Sequence, residues 1–334
     1  MIDILIYRIF FSRDKILEII RISLTIQKSS IILNIRIKFL NNLGGSNLDI
    51  KFESSFIQSW YAKDFSKERW IEEFVMLKEK NIDEVILQSV FDTFHKDCFY
   101  KTSIKGFNTT NIDMIKNCLE AAKETNCKVR IGLGESKLWW IHGVLNKRWL
   151  LKEAELNKAF FDEIFNLYGK HSALSGWYIP YELSDYFIIT KGQRKNINKF
   201  LKDITESIKG KSDLSLMISP YFSIRGPRIL TIKTWQKALK EALKDCKIDI
   251  LALQDSIGAG FNNLNNIEKL FKYTKKATDD LKITLYADTE TFKKRRGRFI
   301  SATDEEFLER AYIIKNYVKG HIAFSINHYQ NNKK

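Results

Sequence analysis

The stretch "LSGWYIPYELSDYF" (174–187) opens as an apolar strand, carries a proline, and ends in two carboxylates among aromatic rings. Its first half is apolar enough to be covered on both faces, as the strands of a parallel sheet are. Strand alternation places Tyr178, Pro180 and Glu182 on one face. A strand that begins apolar and ends acidic suits a barrel whose chemistry collects at the C-terminal ends of its strands.

The same pattern recurs along the chain. Strands are expected at "SSFIQSW" (54–60), "EVILQSV" (84–90), "KVRIGLG" (128–134), "LSGWYIPYE" (174–182), "LSLMISPY" (214–221), "DILALQD" (249–255), "ITLYADTE" (283–290) and "HIAFSIN" (321–327). Amphipathic helical patterns lie between them, such as 66–81 with Ser66 as N-cap and 303–320 with Thr303 as N-cap and Gly320 as its end. Eight such units predict an α/β fold, a (β/α)8 TIM barrel with an N-terminal extension. An open doubly wound sheet is the alternative, but no G-x-G-x-x-G follows the first strand and no Walker A pattern occurs. The last strand ends near the C-terminus, so the eighth helix is expected to be missing or vestigial.

The chain of 334 residues accommodates one such barrel, which typically needs about 250 residues. Residues 1–47 read as an N-terminal extension and linker, with an amphipathic helix, a strand at "SSIILNIRIKF" and the linker "NNLGGSN" (41–47), or as a start placed too far upstream. Residues 48–330 are the expected barrel and 331–334 a polar tail. Charges interrupt the Ile-rich N-terminus too often for a signal peptide, and no apolar run is long enough to span a membrane. The compartment follows from the start: exported or periplasmic if the true start differs, otherwise cytoplasmic. Cys98, Cys118, Cys127 and Cys246 form no C-x-x-C pair and read as free thiols. The net charge of +15 is spread along the chain with abundant Lys, Ile and Asn, which reads as compositional background and not as a nucleic-acid footprint.

Polar residues gather where the strands end. Gln58 and Trp60 follow strand one, Gln88 strand two, Glu135 and Trp140 strand three, and Tyr178, Tyr181, Glu182 and Asp185 end or follow strand four. Tyr221 ends strand five, Gln254 and Asp255 strand six, Asp288 and Glu290 strand seven, and His328 lies just past strand eight. Carboxylates at an apolar mouth can have their proton affinities set apart by burial and neighbours, as an acid and nucleophile pair requires. Aromatic faces among them suit the stacking of sugar rings.

The segments "SSFIQSW", "VILQSV", "IGLGES..WW", "GWYIPYEL", "LALQDSIG" and "YADTETF", in this order and spacing, resemble the bacterial domain of unknown function 4434 family. The resemblance covers about residues 50 to 330 and implies a glycoside-hydrolase-type TIM barrel, related to cellulase-like and β-galactosidase-like retaining enzymes. It implies that Glu182 is the acid/base and Glu290 the nucleophile, with Asp288 a rival for the second role. Such enzymes usually place Asn before the strand-four Glu, where Tyr181 stands here.

The expected activity is therefore glycoside hydrolysis, with a carbohydrate substrate, no cofactor and no nucleic-acid partner. A barrel that binds a saccharide without cleaving it would use the same residues. Metal-dependent hydrolysis would use Asp255, Asp288 and Glu290 as oxygen ligands, but no H-x-H opens strand one and no His joins these acids, so no metal is expected. The basic loop "FKKRRGRF" (292–299), with Arg225 and Arg228 after strand five, points to an anionic glycan over DNA.

Overall fold

The computed structural model describes residues 50–225 and 229–330. The expected extension with its helix and strand, Arg228 and the polar tail lie outside the described residues. The chain divides between Asp49 and Ile50, and the unit from Ile50 onward carries the barrel.

Eight parallel strands close on themselves: β1 (Phe52–Ile57), β2 (Glu84–Leu87), β3 (Lys128–Gly132), β4 (Leu174–Ile179), β5 (Ser215–Ile218), β6 (Ile250–Gln254), β7 (Thr284–Glu290) and β8 (His321–Phe324). Each is hydrogen-bonded to its sequence neighbours, and β1 closes the ring against β8 through Ser54–Ile322 and Ser55–Ala323. Helices connect them: α1 (Lys67–Glu79), α2 (Met114–Glu124), α3 (Lys147–Tyr168), α4 (Lys191–Lys209), α5 (Ile232–Leu243), α6 (Leu264–Leu281) and α7 (Asp304–Ile314). After β8 the described residues hold the single turn Ile326–Tyr329. This is the (β/α)8 TIM barrel that the strand pattern predicts.

Alternation builds two cores. Phe56, Ile86, Tyr178, Met217, Ala252 and Ile322 fill the barrel interior, so the middle of the barrel is packed. Residues of opposite parity, such as Trp177 and Leu253, pack outward against helices with Phe161 and Trp235. Each such fully buried large side chain contributes about 1.5–3 kcal/mol by leaving water.

The helices start where the sequence caps them. The Ser66 hydroxyl accepts from the Arg69 N–H, and Thr303 forms a reciprocal capping box with Glu306. The last helix ends earlier than its pattern implies: α7 stops at Ile314 and a 3-10 turn covers Lys315–Tyr317. Gly320 therefore ends no helix. A Cβ there would lie 2.4 Å from Glu53 Oε1 and 2.6 Å from a Tyr286 ring carbon, so glycine lets the chain enter β8 through a crowded barrel base. Apart from β7, which ends at Glu290 as expected, the strands end sooner than the apolar runs suggest, because their last residues leave the ladder to form the mouth.

Candidate active site

A cleft of about 260 Å³ opens at the mouth, walled by the segments after β2, β3 and β4, with Gln88, Asp92, Glu135, Trp140 and Glu182 among its lining residues. Two of its acids are fixed by a small extra sheet. Phe91–Asp92 pairs in parallel with Gly134–Glu135 and antiparallel with Asp97–Cys98, which carries Asp92 and Glu135 side by side above the barrel. Glu135 accepts from the Ser89 hydroxyl at 2.8 Å. Burial raises its carboxyl above the ordinary range, against the Ser89 bond, and nearby Asp92 adds to the rise. Asp92 bonds the His95 ring nitrogen Nδ1 at 2.6 Å.

Glu182 lines the same cleft as Glu135, at the end of the adjacent strand. Its backbone carbonyl accepts from the Trp139 indole N–H at 2.9 Å, fixing the chain as it leaves β4. Its carboxyl is pushed up to about 7, chiefly by burial and further by Glu135, while a bond from Gln254 works in the opposite direction. Gln254 is itself oriented by donating to the Ser219 carbonyl at 3.1 Å. A carboxylic acid half protonated near neutrality, open to a cleft and faced by another carboxylate, can donate a proton to a bound molecule.

On β7, Asp288 and Glu290 share the inward parity of Tyr286. Asp288 is 1% exposed and accepts from the Ser219 hydroxyl at 2.9 Å. Burial holds its carboxyl well above the usual range, with Asp255 and Glu182 adding repulsion. Glu290 is 6% exposed, and its Oε2 accepts from the Ala259 N–H at 2.7 Å. A Cβ at Gly258 would lie 2.8 Å from that oxygen and 2.1 Å from the Phe292 carbonyl, so glycine permits the loop after β6 to lie over Glu290. Burial raises the Glu290 carboxyl strongly, Asp255 raises it further, and Ala259 and Arg310 oppose the rise.

Several sequence-predicted residues face elsewhere. Tyr178 belongs to the closed interior core, packed edge-on to Phe56 at 5.3 Å, and has no surface to offer a substrate. Tyr181 borders the cleft, but its opposite parity carries the hydroxyl outward to Glu153 and Asn157 on α3. Asp255 is fully buried, and accepts from the Ile257 N–H beside Arg310. It supports the loop after β6 and is not exposed to a substrate. Asp185 is 6% exposed and accepts from the Ser223 N–H at 3.0 Å, so it ties two loops together; burial pushes its carboxyl up to about 6. Trp177, another aromatic of this region, is core, with its indole N–H on Ser212.

Trp60 is 63% exposed at the rim, edge-on to His328 at 5.3 Å. His328 Nε2 accepts from the Gln58 N–H at 3.3 Å, joining the ends of β1 and β8. Tyr221, Trp140 and Phe261 form a line of rings along the rim. The basic loop folds as a hairpin, Phe292–Arg295 against Arg298–Ser301, on the β7 side and outside the cleft. Among the described residues, no group of three or more His, Cys, Asp or Glu is arranged to hold a metal ion, Asp255, Asp288 and Glu290 included. No helix among them is long and apolar enough to cross a membrane.

Sequence reasoning missed Asp92, Phe261 and Arg310, and counted Trp139 among the nearby aromatics without giving it a role. Asp92 had a signal, an acid just past strand two in "FDTFHKDC". Arg310 had none, since it projects from a helix that reads as ordinary surface and core.

The fold is shared with solved glycoside hydrolases. A Bacteroides thetaiotaomicron protein provisionally named an alpha-L-fucosidase superposes with a TM-score of 0.72 at 22% identity, covering 87% of this chain and 93% of that one. The endo-1,4-beta-mannanase of Rhizomucor miehei gives 0.57 at 12% identity, covering 84% and 88%. The family 1 beta-glucosidase of Thermotoga maritima gives 0.52 at 10% identity, covering 84% and 89%. Among curated proteins, none matches the sequence. The family model of "Domain of unknown function (DUF4434)" matches residues 52–334, almost the whole barrel, and the chain belongs to that family.

Proposed function

We propose that the chain is a retaining glycoside hydrolase in which Glu182 protonates the leaving oxygen and later activates water, and Glu290 attacks the anomeric carbon. The observation that carries this reading is Glu182, an acid with its proton affinity raised to about 7 in an open cleft. Acid catalysis works best with a group that titrates near the working pH. Double displacement needs its two carboxyl groups to flank the scissile bond. β4 and β7 are separated by β5 and β6 around the ring, so their ends face across the mouth. Glu135, just past the adjacent β3, stands on the same side as Glu182, and its negative charge helps to keep Glu182 protonated.

One observation favours a second assignment. Glu135 shares the cleft with Glu182, whereas Glu290 lies beneath the loop after β6. The variants Glu182→Gln, Glu135→Gly and Glu290→Gly, tested on activated aryl glycosides with added azide, distinguish the two. Azide restores turnover to whichever glycine variant has lost the nucleophile, giving a glycosyl azide of inverted configuration. Restoration in Glu135→Gly and not Glu290→Gly transfers the role to Glu135. Saccharide binding with no hydrolysis, in a screen spanning neutral and acidic glycans, makes the barrel a binding module.

A further inference from the structure

The line of rings that leaves the cleft ends on a cation. Trp140, 52% exposed, lines the cleft and lies 6.3 Å from Tyr221, which stacks on Phe261 at 5.6 Å and 19°. Phe261 is 38% exposed. Next to it, the Arg225 guanidinium lies over Gly260, where an added Cβ would be 3.0 Å from Nη2 and where φ is +78°. Both the space and the backbone conformation therefore favour glycine at 260.

The backbone that presents Arg225 is held at several points. Its N–H donates to the Ser223 hydroxyl at 3.1 Å, its carbonyl accepts from the Tyr186 hydroxyl at 2.6 Å, and the preceding Ile224 N–H donates to the Phe261 carbonyl at 2.9 Å. Asp185 completes the anchorage through the Ser223 N–H. The side chain is exposed, and among the described residues no carboxylate pairs with it. A planar guanidinium carried on an anchored backbone beside these rings is suited to a carboxylate on a sugar that lies against the rings.

We propose that Trp140, Tyr221, Phe261 and Arg225 form a subsite, running outward from the Glu182 cleft, for a sugar unit bearing a carboxylate, so that the glycan acted on is a uronic-acid-containing oligosaccharide. This rests on the glycosidase reading, since the line of rings starts in the Glu182 cleft. The hairpin arginines 295, 296 and 298 are exposed too, but they lie outside the line of rings, and the subsite assigns them no contact.

The test is calorimetric binding by the full chain, with Glu182→Gln introduced to prevent turnover. The probes are oligogalacturonate, oligoglucuronate and oligomannuronate, each paired with its carboxyl-reduced neutral counterpart. At least one acidic member is expected to bind about tenfold more tightly than its neutral partner, in keeping with one charged hydrogen-bonding contact. Arg225→Gln should abolish that ratio while leaving the neutral affinity unchanged; Phe261→Ala should weaken both members alike. An unchanged ratio in Arg225→Gln, or a ratio lost only in the triple hairpin variant Arg295→Gln, Arg296→Gln and Arg298→Gln, overturns the subsite. So does the absence of any acidic preference. Because binding is the readout, an Arg225-dependent ratio in a chain that hydrolyses no glycoside removes the glycosidase reading and leaves the subsite standing.

Discussion

The Tyr181 hydroxyl donates to Glu153 Oε2 at 2.6 Å, which ties the residue beside Glu182 to the helix behind the barrel. The same hydroxyl accepts from Asn157 Nδ2 at 3.1 Å, and Asn157 Oδ1 accepts from the Gly134 N–H at 3.0 Å, next to Glu135. Thr93, one residue past Asp92, donates to Glu153 at 2.8 Å. One turn of α3 thus fixes the strand ends that carry Asp92, Glu135 and Glu182. It also gives the tyrosine at 181 its place: this position faces α3, and its hydroxyl is committed to Glu153 and Asn157.

Tyr181→Phe should therefore lower stability by about 1–3 kcal/mol, because Glu153 loses a donor while remaining buried. Activity should fall as well, since the cleft acids lose a common support. Urea unfolding and kcat on an aryl glycoside check the two effects. Tyr181→Asn should behave no better, and recovery of activity in that variant would show that the side chain at 181 reaches the substrate.

The barrel was legible because eight apolar runs alternate with capped amphipathic helices, and hydrophobic periodicity is a local signal. The cleft acids Glu135 and Glu182 were legible by their place at strand ends. Parity was the harder part. Tyr178 and Tyr181 look alike in sequence, yet alternation and depth send one into the interior core and the other outward to α3. Asp255 follows its strand as Glu182 follows its own, and only the packing of α7, which brings Arg310 to it, shows that it is enclosed. Such contacts are long-range and leave no local pattern.

The pH dependence of turnover should carry the mark of Glu182. In the proposed role of proton donor it must be protonated, so kcat/KM should fall as pH rises through about 7. Glu135→Gln removes a like charge and should move that limb to lower pH, whereas Glu182→Gln should lose about 10²–10⁴ in rate and with it the limb. A pH–rate profile unaltered in Glu135→Gln would sever the link between the two acids.

Stability supplies an independent check on the same group. The folded state holds the Glu182 proton more tightly than the unfolded chain, so the resulting stabilisation is present below the unfolded value of about 4.3 and is lost as pH rises towards about 7. Glu182→Gln cannot ionise. Its stability relative to wild type should rise over that interval, by at most about 3 kcal/mol and less where cleft water screens the charge. Equal pH slopes in the two proteins would show that the carboxyl titrates as in the unfolded chain.

Arg310 donates to the Glu290 carbonyl at 2.6 Å and supplies a buried positive charge beside Asp255 and Glu290. Arg310→Met leaves those acids without this counter-charge and should cost about 3–5 kcal/mol. Both carboxyls are raised in the fold, and losing the arginine raises them further. The penalty should therefore be smaller in mild acid, where they are neutral, and grow as pH rises. Thermal unfolding of the variant across pH 5 to 8 measures it, and a penalty independent of pH would assign Arg310 a packing role alone.

The hairpin after β7 offers a prediction that depends on backbone geometry and not on chemistry. Arg295 pairs with Arg298, leaving Arg296 and Gly297 as a two-residue turn with φ of +48° and +79°. Positive φ at both positions is the signature of the type I′ turn, which favours Asn-Gly over Arg-Gly. Arg296→Asn should raise stability by about 0.5–1 kcal/mol, and Gly297→Ala should lower it by a comparable or larger amount. Arg296→Asn also removes one exposed charge. If the carboxylate subsite lies at Arg225, this variant should bind uronate oligosaccharides as wild type does while melting at a higher temperature; a loss of uronate affinity in Arg296→Asn would bring the hairpin into the glycan's path.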